Sequence, residues 1–421
     1  MEAEAGVQAG PAPDEAVQEA LTHVRHLSDE IGPRPVGSEN DAAAARYVQQ
    51  KLAEAGVREL RKQEFVAPRS GWMPFAIAAA AALLGVASWM FSRGSALGAY
   101  LGALGCGFAL WEVYAELNFG WSPLAAFTPK VRSQNVIASV APTEGEGRNA
   151  VVFAHLDTGR TPVLARSAAA LTAWYVLFYA TLVVLLATLL VLAVSWFAQQ
   201  SLPAWLGAPA IVLGLVTLAL LIQADLTPYS RGANDNASSV GVALALAKQF
   251  AAHPMRSTRL WVVFTSGAET GCHGASAFLQ EYGDELMQGH TISLECLGVE
   301  KPAYSVREGM LRSYRSSSEL LRLATAVARD NPALGLRPVS VRAGYTEAGV
   351  SAKRGYRALA LVGTDARGFV PYWHSPEDTS GKVRIESLAA AYAATASILR
   401  RLDDLPVSIK LSQVKPLRER G

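Results

Sequence analysis

The chain has 421 residues, a length that allows one large domain or two. Hydrophobic residues make up 51% of it and charged residues only 18%, which is an apolar balance for a soluble protein. A formal net charge of +2, without a basic stripe carrying interleaved aromatic residues, argues against a nucleic-acid partner. Three cysteines far apart in sequence, with no Cys-x-x-Cys motif, argue against a disulfide scaffold or a cysteine zinc site.

The first seventy residues predict a loose lead followed by the start of a folded domain. We expect residues 1–16 to be disordered, because they are rich in Ala, Glu and Pro and lack the basic and apolar segments of a signal peptide. Residues 17–70 then predict two helices, around Val17–Leu27 and Ala42–Leu52, and a strand at Val57–Val66.

Two stretches, 72–115 and 168–224, are almost wholly apolar and interrupt the domain. Each contains two uncharged runs of about 20 residues or more, the length that crosses a bilayer. Pairs of buried core helices are the rival interpretation, but four such runs would leave a soluble fold little polar surface. We therefore predict two transmembrane helical hairpins. The runs are Trp72–Phe91, Ala96–Tyr114, Ala168–Ala198 and Leu202–Ala224.

Between and after the hairpins, residues 130–166 and 228–402 alternate between strand and helix patterns, and a basic tail, 403–421, follows. Alternation of this kind predicts an α/β fold, a mostly parallel mixed sheet with helices on both faces, whose site lies at the carboxyl ends of the strands. The predicted strands are Asn135–Val140, Asn149–His155, Arg259–Ser266, Thr291–Leu297, Leu336–Val341 and Arg357–Val362, and the predicted helices are Gly274–Tyr282, Ser316–Arg329 and Ile385–Leu402.

A polar turn, residues 231–241, leads into a predicted helix and places Asp235 at or just before its N-terminus. Taken alone, this aspartate is better explained as a helix N-cap. Residues of metal-binding type also stand at the ends of predicted strands, and each alone has an ordinary structural explanation. Together they predict oxygen and nitrogen ligands for two divalent metals. They are His155, which Asp157 follows at a spacing of two, then Glu269, Glu295 and His374.

In this order the motifs resemble those of the dizinc aminopeptidase family, which includes bacterial leucyl aminopeptidases and the glutamate carboxypeptidase relatives. The resemblance rests on five motifs, which are a His-x-Asp, an Asn-Asp-Asn turn, Glu-Thr-Gly, a strand-end Glu and His-x-Pro-x-Asp-Thr. The Gly32–Ser38 segment resembles the family's usual opening. Without the hairpins, the resemblance covers roughly Leu21 to Leu402.

The resemblance implies a zinc-peptidase-like fold and a role for each site residue. Asp235 would bridge two zinc ions, and Asp157 would orient His155. Zinc is expected from the ligand types, although manganese or cobalt suits the same oxygen-rich set. The remaining metal ligands would be His155, Glu269, Glu295 and His374.

One position departs from the family pattern. The family carries Glu-Glu-x-Gly, in which the first Glu is the general base, whereas this chain has Ala268 followed by Glu269. Losing a general base typically costs about 10²–10⁴ in rate. Glu347, His273 and Glu377 are candidate substitutes that the sequence does not place.

The resemblance implies a membrane-anchored metallopeptidase, an aminopeptidase that hydrolyses N-terminal residues of peptides with water activated by two metals. The alternative, favoured by Ala268, is a catalytically weak or inactive relative that binds peptides or a partner protein. A transporter is disfavoured, because no acid or base lies deep in an apolar run. The expected partners are a peptide substrate and a lipid bilayer, with no nucleic acid.

The charges that flank the hairpins predict their orientation. Lys and Arg favour the cytoplasmic flank of a membrane span. Since Arg93 is the single basic residue in the two hairpin connectors, we expect a multi-pass membrane protein with its peptidase domain and both termini in the cytoplasm. An exported or lumenal domain is the alternative. The basic residues on the domain side are Arg69, Lys130, Arg132, Arg160, Arg166 and Arg231.

Overall fold

The computed structural model describes residues 13–145, 147–286, 289–341 and 344–406. It consists of one nine-stranded mixed sheet, helices on both faces of that sheet, and four long apolar helices. The strands are β1 (Glu59–Pro68), β2 (Lys130–Val140), β3 (Arg148–His155), β4 (Thr258–Thr265), β5 (His290–Glu295), β6 (Pro302–Glu308), β7 (Tyr314–Arg315), β8 (Arg337–Val341) and β9 (Arg357–Gly363).

The helices alternate with the strands along most of the chain. Two single turns of π-helix, His26–Ile31 and Ala233–Ser238, lie beside the candidate site. The α-helices are α1 (Pro13–Arg25), α2 (Glu39–Glu54), α3 (Met73–Phe91), α4 (Ala96–Glu116), α5 (Pro123–Phe127), α6 (Ala168–Phe197), α7 (Ala208–Leu226), α8 (Ser239–Ala252), α9 (His273–Glu281), α10 (Gly283–Leu286), α11 (Ser318–Asp330), α12 (Glu347–Lys353) and α13 (Ile385–Asp403).

The sheet runs in the order β1-β2-β4-β3-β5-β9-β6-β7, and β8 pairs with β6. Its centre, β4-β3-β5-β9, is parallel, whereas β1, β2 and β7 join by antiparallel pairing. The predicted α/β fold with a mixed sheet is therefore confirmed. The parallel centre brings the carboxyl ends of four strands to one edge, where the candidate residues lie.

Alternate side chains of each central strand bury opposite faces of the sheet, as the strand period of two requires. Val152, Val262 and Leu361 belong to the core that α1, α2, α8, α11 and α13 cover. Phe153 and Val263 face the other way and pack with α9, α10 and α12. Helices on both faces explain why the central strands are near-continuous apolar runs.

All four predicted apolar runs are helices long and apolar enough to cross a membrane. The first pair packs closely through small residues, since a Cβ at Gly85 would lie 3.1 Å from the Cα of Gly102. Close packing of this kind is common between membrane helices. Large apolar side chains such as Leu84, Val183 and Leu215 point outward from the bundle and are more than half exposed.

Both pairs of apolar helices leave the domain on the side of the candidate site. The α3–α4 pair connects β1 to β2, whose residues Pro68 and Lys130 pair with each other. The α6–α7 pair lies within the connection from β3 to α8, that is, between His155 and Asp235. The helix bundle therefore stands directly over the carboxyl edge of the parallel strands.

Several short elements escaped the sequence analysis. β6, β7 and α12 were not predicted, because Pro302–Glu308 is polar and begins with proline and a seven-residue helix carries little periodicity. Residues 13–16 of the expected disordered lead belong instead to α1, where Ala16 is buried. Residues 1–12 of that lead and residues 407–421 of the basic tail lie outside the described residues.

Candidate functional site

The five predicted ligands come together in two groups that share Asp235. In the first group, Nε2 of His374 lies 2.8 Å from Oε2 of Glu269 and 3.6 Å from Oδ2 of Asp235. In the second group, Nε2 of His155 lies 3.1 Å from Oε1 of Glu295 and 3.4 Å from Oδ1 of Asp235. The two oxygens of one aspartate therefore face two different imidazoles, as a bridging ligand would.

The donor set and its burial fit zinc. Two imidazoles and three carboxylates supply the nitrogen and oxygen ligands that zinc accepts, and ligand atoms of His155, Asp235 and Glu269 lie within 4.8 Å of one another. Oδ2 of Asp235 and Oε2 of Glu295 are buried with no hydrogen-bond partner in the described chain. Burial raises the pKa of Glu295 to about 8, so its charged form needs a nearby cation.

The turn that carries Asp235 is held by side chains on both sides. The carboxylate of Asp378 accepts the backbone N–H of Asn234 at 2.6 Å and that of Asp235 at 3.0 Å. The amide of Asn236 donates to the carbonyl of Leu294, and its oxygen accepts the N–H of Cys296. Because those two backbone groups flank Glu295, the same turn also fixes that strand-end ligand.

Arg34 joins three segments of the site and was not singled out from the sequence. Its guanidinium is fully buried and donates to the carbonyls of Leu27, Gly32, Leu156, Arg231 and Gly232. Burial lowers the pKa of Arg34 to about 10. Five backbone acceptors and nearby acids stabilise the buried charge, so Arg34 ties the opening loop to the end of β3 and to the Asp235 turn.

Asp157 contacts both the His155 imidazole and the turn after β4. Its backbone carbonyl, not its carboxylate, is the closer partner of Nδ1 of His155, at 3.0 Å against 3.6 Å. The carboxylate accepts the backbone N–H groups of Ala268 and Glu269, both at 3.1 Å. Asp157 thus fixes the imidazole through its main chain and the turn after β4 through its side chain.

His374 lies in a closely fitted position. Its backbone has a left-handed φ of 51°, which is uncommon for a residue other than glycine. The Trp373 ring stacks on its imidazole with centroids 3.9 Å apart. Gly159, also missed from the sequence, allows the ring to approach, because a Cβ at this position would collide with the imidazole.

Ala268 lies beside the ligands, in the wall of a cavity of about 70 Å³. Of the three candidate substitutes for the missing base, Glu347 lines this cavity; the other two, His273 and Glu377, do not. Its carboxylate is buried and accepts hydrogen bonds from the hydroxyls of Thr265 and Ser293 at 2.9 and 2.6 Å. Glu347 is thus the carboxylate of this cavity that is not a predicted metal ligand.

Comparison with known proteins supports the resemblance drawn from the motifs. Residues 219–399 match Peptidase family M28, a range that contains four of the five predicted ligands. No curated protein matches the chain in sequence.

Solved aminopeptidases and glutaminyl cyclases share the fold. A zinc aminopeptidase from Bacillus subtilis is 13% identical with a TM-score of 0.55, covering 92% of this chain and 95% of its own. A glutaminyl cyclase from an Acidobacteriales bacterium is 14% identical with a TM-score of 0.53, covering 96% and 99%. A leucine aminopeptidase precursor from Bacteroides thetaiotaomicron is 14% identical with a TM-score of 0.52, covering 91% and 96%.

The motifs, the fold and the family match agree with one another. Residues 219–399 match Peptidase family M28, and the sheet and its helices have the fold of solved zinc exopeptidases, so the resemblance recognised from the sequence is confirmed. Both aminopeptidases and glutaminyl cyclases share the fold.

Proposed function

We propose that the chain is a membrane-anchored metallopeptidase that hydrolyses the amide bond at the N-terminus of peptides with two zinc ions bound. The observation that carries the proposal is the pair of ligand groups joined by Asp235. His374 and Glu269 would hold one ion with Asp235, and His155 and Glu295 would hold the other.

Bound zinc would supply polarisation of the scissile carbonyl and a lowered pKa for water. The chain's own groups orient the ligands and transfer the proton. Asp157 and Trp373 orient the two imidazoles, and Asp378 holds the turn of the bridging aspartate. With alanine at position 268, Glu347 is the carboxylate placed to accept the proton of the attacking water and return it to the leaving nitrogen.

The second candidate function is that of a catalytically weak relative that keeps its metal site and binds peptides or a partner protein. Ala268 is the observation that favours it, because alanine cannot act as a base. Glu347 is a weak replacement, since the two hydroxyls that donate to its carboxylate compete for the lone pairs that a base would use. Under this alternative the metal site has a structural or binding role.

Aminoacyl-nitroanilides test the two candidates directly. We expect the purified full chain with added zinc to release nitroaniline, and a chelator to abolish the reaction because the metals are required. A parallel assay with a peptide that begins with glutamine detects cyclisation, the activity in the name of the glutaminyl cyclase from an Acidobacteriales bacterium. A zinc-loaded chain that binds peptide but hydrolyses no substrate would support the second candidate instead.

We also propose that the four apolar helices cross a membrane as two hairpins. Their outward faces carry exposed aliphatic side chains, and exposed tryptophans lie near both ends of the bundle, at Trp111 and Trp121 on the domain side and Trp205 at the far side. Glu112 is buried and hydrogen-bonds with Ser122 at the domain-side end of α4, so this acid does not face lipid.

Reporter fusions should place the domain in the cytoplasm. Arg69, Lys130, Arg132, Arg166 and Arg231 are exposed on the domain side, whereas the α3–α4 connector offers Arg93 and the α6–α7 connector no basic residue. We therefore expect a fluorescent protein fused after residue 421 to glow and alkaline phosphatase at the same point to stay inactive. The opposite pattern reverses the orientation, and reporters at residues 95 and 421 on the same side would contradict the hairpins.

A further inference from the structure

One continuous cavity runs from the candidate metal centre into the helix bundle. It has a volume of about 300 Å³, within the range of small-molecule sites. Glu269 and His374 line one end of it, so it reaches the site itself. Its other end lies between all four apolar helices, which contribute Ala79, Val113, Leu182 and Leu221.

The inner part of the cavity is deep and apolar. Its walls reach Ala79 on α3, Ala109 on α4 and Thr217 on α7. At 1.5 Å per residue, these positions lie roughly 9–14 Å beyond the domain-side ends of their helices. The hydroxyls of Thr181 and Thr217, which also line the cavity, hydrogen-bond to each other at 3.0 Å. The cavity is thus deeper than a single amino-acid side chain, and it suits an apolar occupant.

An extended peptide is a poor occupant of this space. At about 3.3–3.6 Å per residue it would need three or four residues to fill the depth. Its backbone N–H and C=O groups would then be buried among mostly apolar side chains, where the hydroxyls of Thr181 and Thr217 are already paired with each other, and unpaired backbone groups disfavour such burial. A hydrocarbon chain fills the same length without any group that needs a hydrogen bond.

The opposite side of the site is acidic. The smaller cavity beside Ala268 is lined by Asp235, Glu269, Glu295 and Glu347 and shares Ala268, Glu269, Cys272, Tyr345 and Trp373 with the apolar one. An amine becomes cationic once it is released, and burying that charge among the apolar side chains of the bundle would be costly, so the amine half of an amide stays at the metal site. The acyl half then points towards the helix bundle.

We propose that the substrate is a long-chain N-acyl amine, such as an N-acyl amino acid, whose hydrocarbon chain lies in the bundle. This inference rests on the proposed two-zinc amide hydrolysis, and it assigns a fatty acyl group, in place of an N-terminal amino acid, as the acyl half that is released. The oxygen of water bonds to the amide carbonyl carbon and the C–N bond breaks. One proton of the water goes to the leaving nitrogen, so a fatty acid and a free amine are the products.

A chain-length series tests the proposal in the zinc-loaded full chain. We expect kcat/KM to rise at least about 100-fold from N-acetyl-glycine through N-hexanoyl-glycine to N-dodecanoyl-glycine, because each buried methylene adds binding energy. Equal rates along the series would overturn the inference and leave the hydrolase standing. Faster cleavage of trileucine than of N-dodecanoyl-glycine would also overturn it, in favour of a peptide occupant.

Variants on α6 and α7 test whether the hydrocarbon chain of the substrate lies in the cavity. Leu182→Trp on α6 fills the cavity, and we expect it to lower the dodecanoyl-to-acetyl ratio of kcat/KM at least tenfold. Leu221→Trp on α7 should do the same independently. Leu186→Trp is the control, since Leu186 is 51% exposed on the outside of the bundle, and it should keep the wild-type ratio in the same detergent. An unchanged ratio in both cavity variants would overturn the inference.

A binding measurement separates this inference from the hydrolase proposal. Dansyl-labelled undecanoic acid should bind the wild type and Leu186→Trp, be displaced by dodecanoate, and bind Leu182→Trp at least tenfold more weakly. Equal binding to all three proteins would place the hydrocarbon chain of the probe outside the cavity and overturn the inference. If no amide of any kind is hydrolysed, the hydrolase proposal fails and the substrate assignment fails with it, whatever the probe binds.

Discussion

Asp235→Ala should remove at least one of two bound metals and lower hydrolysis by more than about 100-fold. Even residues that only orient a metal ligand typically contribute 10–100-fold to affinity or activity, and a bridging ligand should contribute more. The two carboxylate oxygens of Asp235 lie 3.4 and 3.6 Å from the two imidazoles, so this residue belongs to both ligand groups.

Elemental analysis of dialysed protein measures the expected loss. The wild type should hold about two zinc ions per chain, and Asp284→Ala, which removes an exposed aspartate far from the site, should hold as many. A wild type without metal would contradict the whole interpretation. A variant that keeps two metals would show that Asp235 is not a bridging ligand.

The elements that the sequence predicted are those whose signals are local. A run of about 20 apolar residues identifies a candidate membrane span wherever the rest of the fold lies, and four helices long and apolar enough to cross a membrane appear within a few residues of the predicted runs. The ligand motifs are local too. The alternation of strand and helix predicted that the carboxyl ends of the strands would meet, and the parallel order β4-β3-β5-β9 brings those ends, with the ligand motifs, together.

What the sequence could not predict depends on segments that meet only in the fold. Arg34 is one charged residue in a Pro/Gly loop, and its role comes from carbonyls up to 198 positions away in the chain. Asp378 lies in a recognised motif, but its partners are the backbone N–H groups of a turn more than 140 residues earlier. Neither interaction leaves a periodic pattern.

The apolar cavity was missed for a related reason. A cavity is the space that side chains leave between packed elements. It depends on how the hairpins pack against the α/β domain, which the hydropathy of the hairpins or of the domain does not show. The position of the α6–α7 pair between His155 and Asp235 is visible in the sequence. This position implies that the α6–α7 pair stands near the site, and it is the sequence signal from which a shared cavity could have been suggested.

Ala268→Glu should raise hydrolysis by about 10²–10⁴, the range expected of a general base. The backbone N–H of Ala268 is held by Asp157, and its side chain lines both cavities where they meet beside the metal ligands. A carboxylate added at this position projects into open volume beside the metal ligands, where under the proposed function it can take the proton of the attacking water.

The comparison is made on N-dodecanoyl-glycine and on an aminoacyl-nitroanilide, with zinc content measured in every protein. Ala268→Gln is the matched control, because it adds a side chain of the same length that cannot accept a proton in this way, and we expect no gain from it. If Ala268→Glu binds both metals and gains nothing, the native chain already has an adequate base. Glu347→Gln should then lower kcat by a comparable 10²–10⁴, since its carboxylate is the one in the cavity outside the ligand groups. If neither change alters a measurable rate while both metals stay bound, another group serves as the base; if no hydrolysis is detected at all, amide hydrolysis is the wrong reaction for this site.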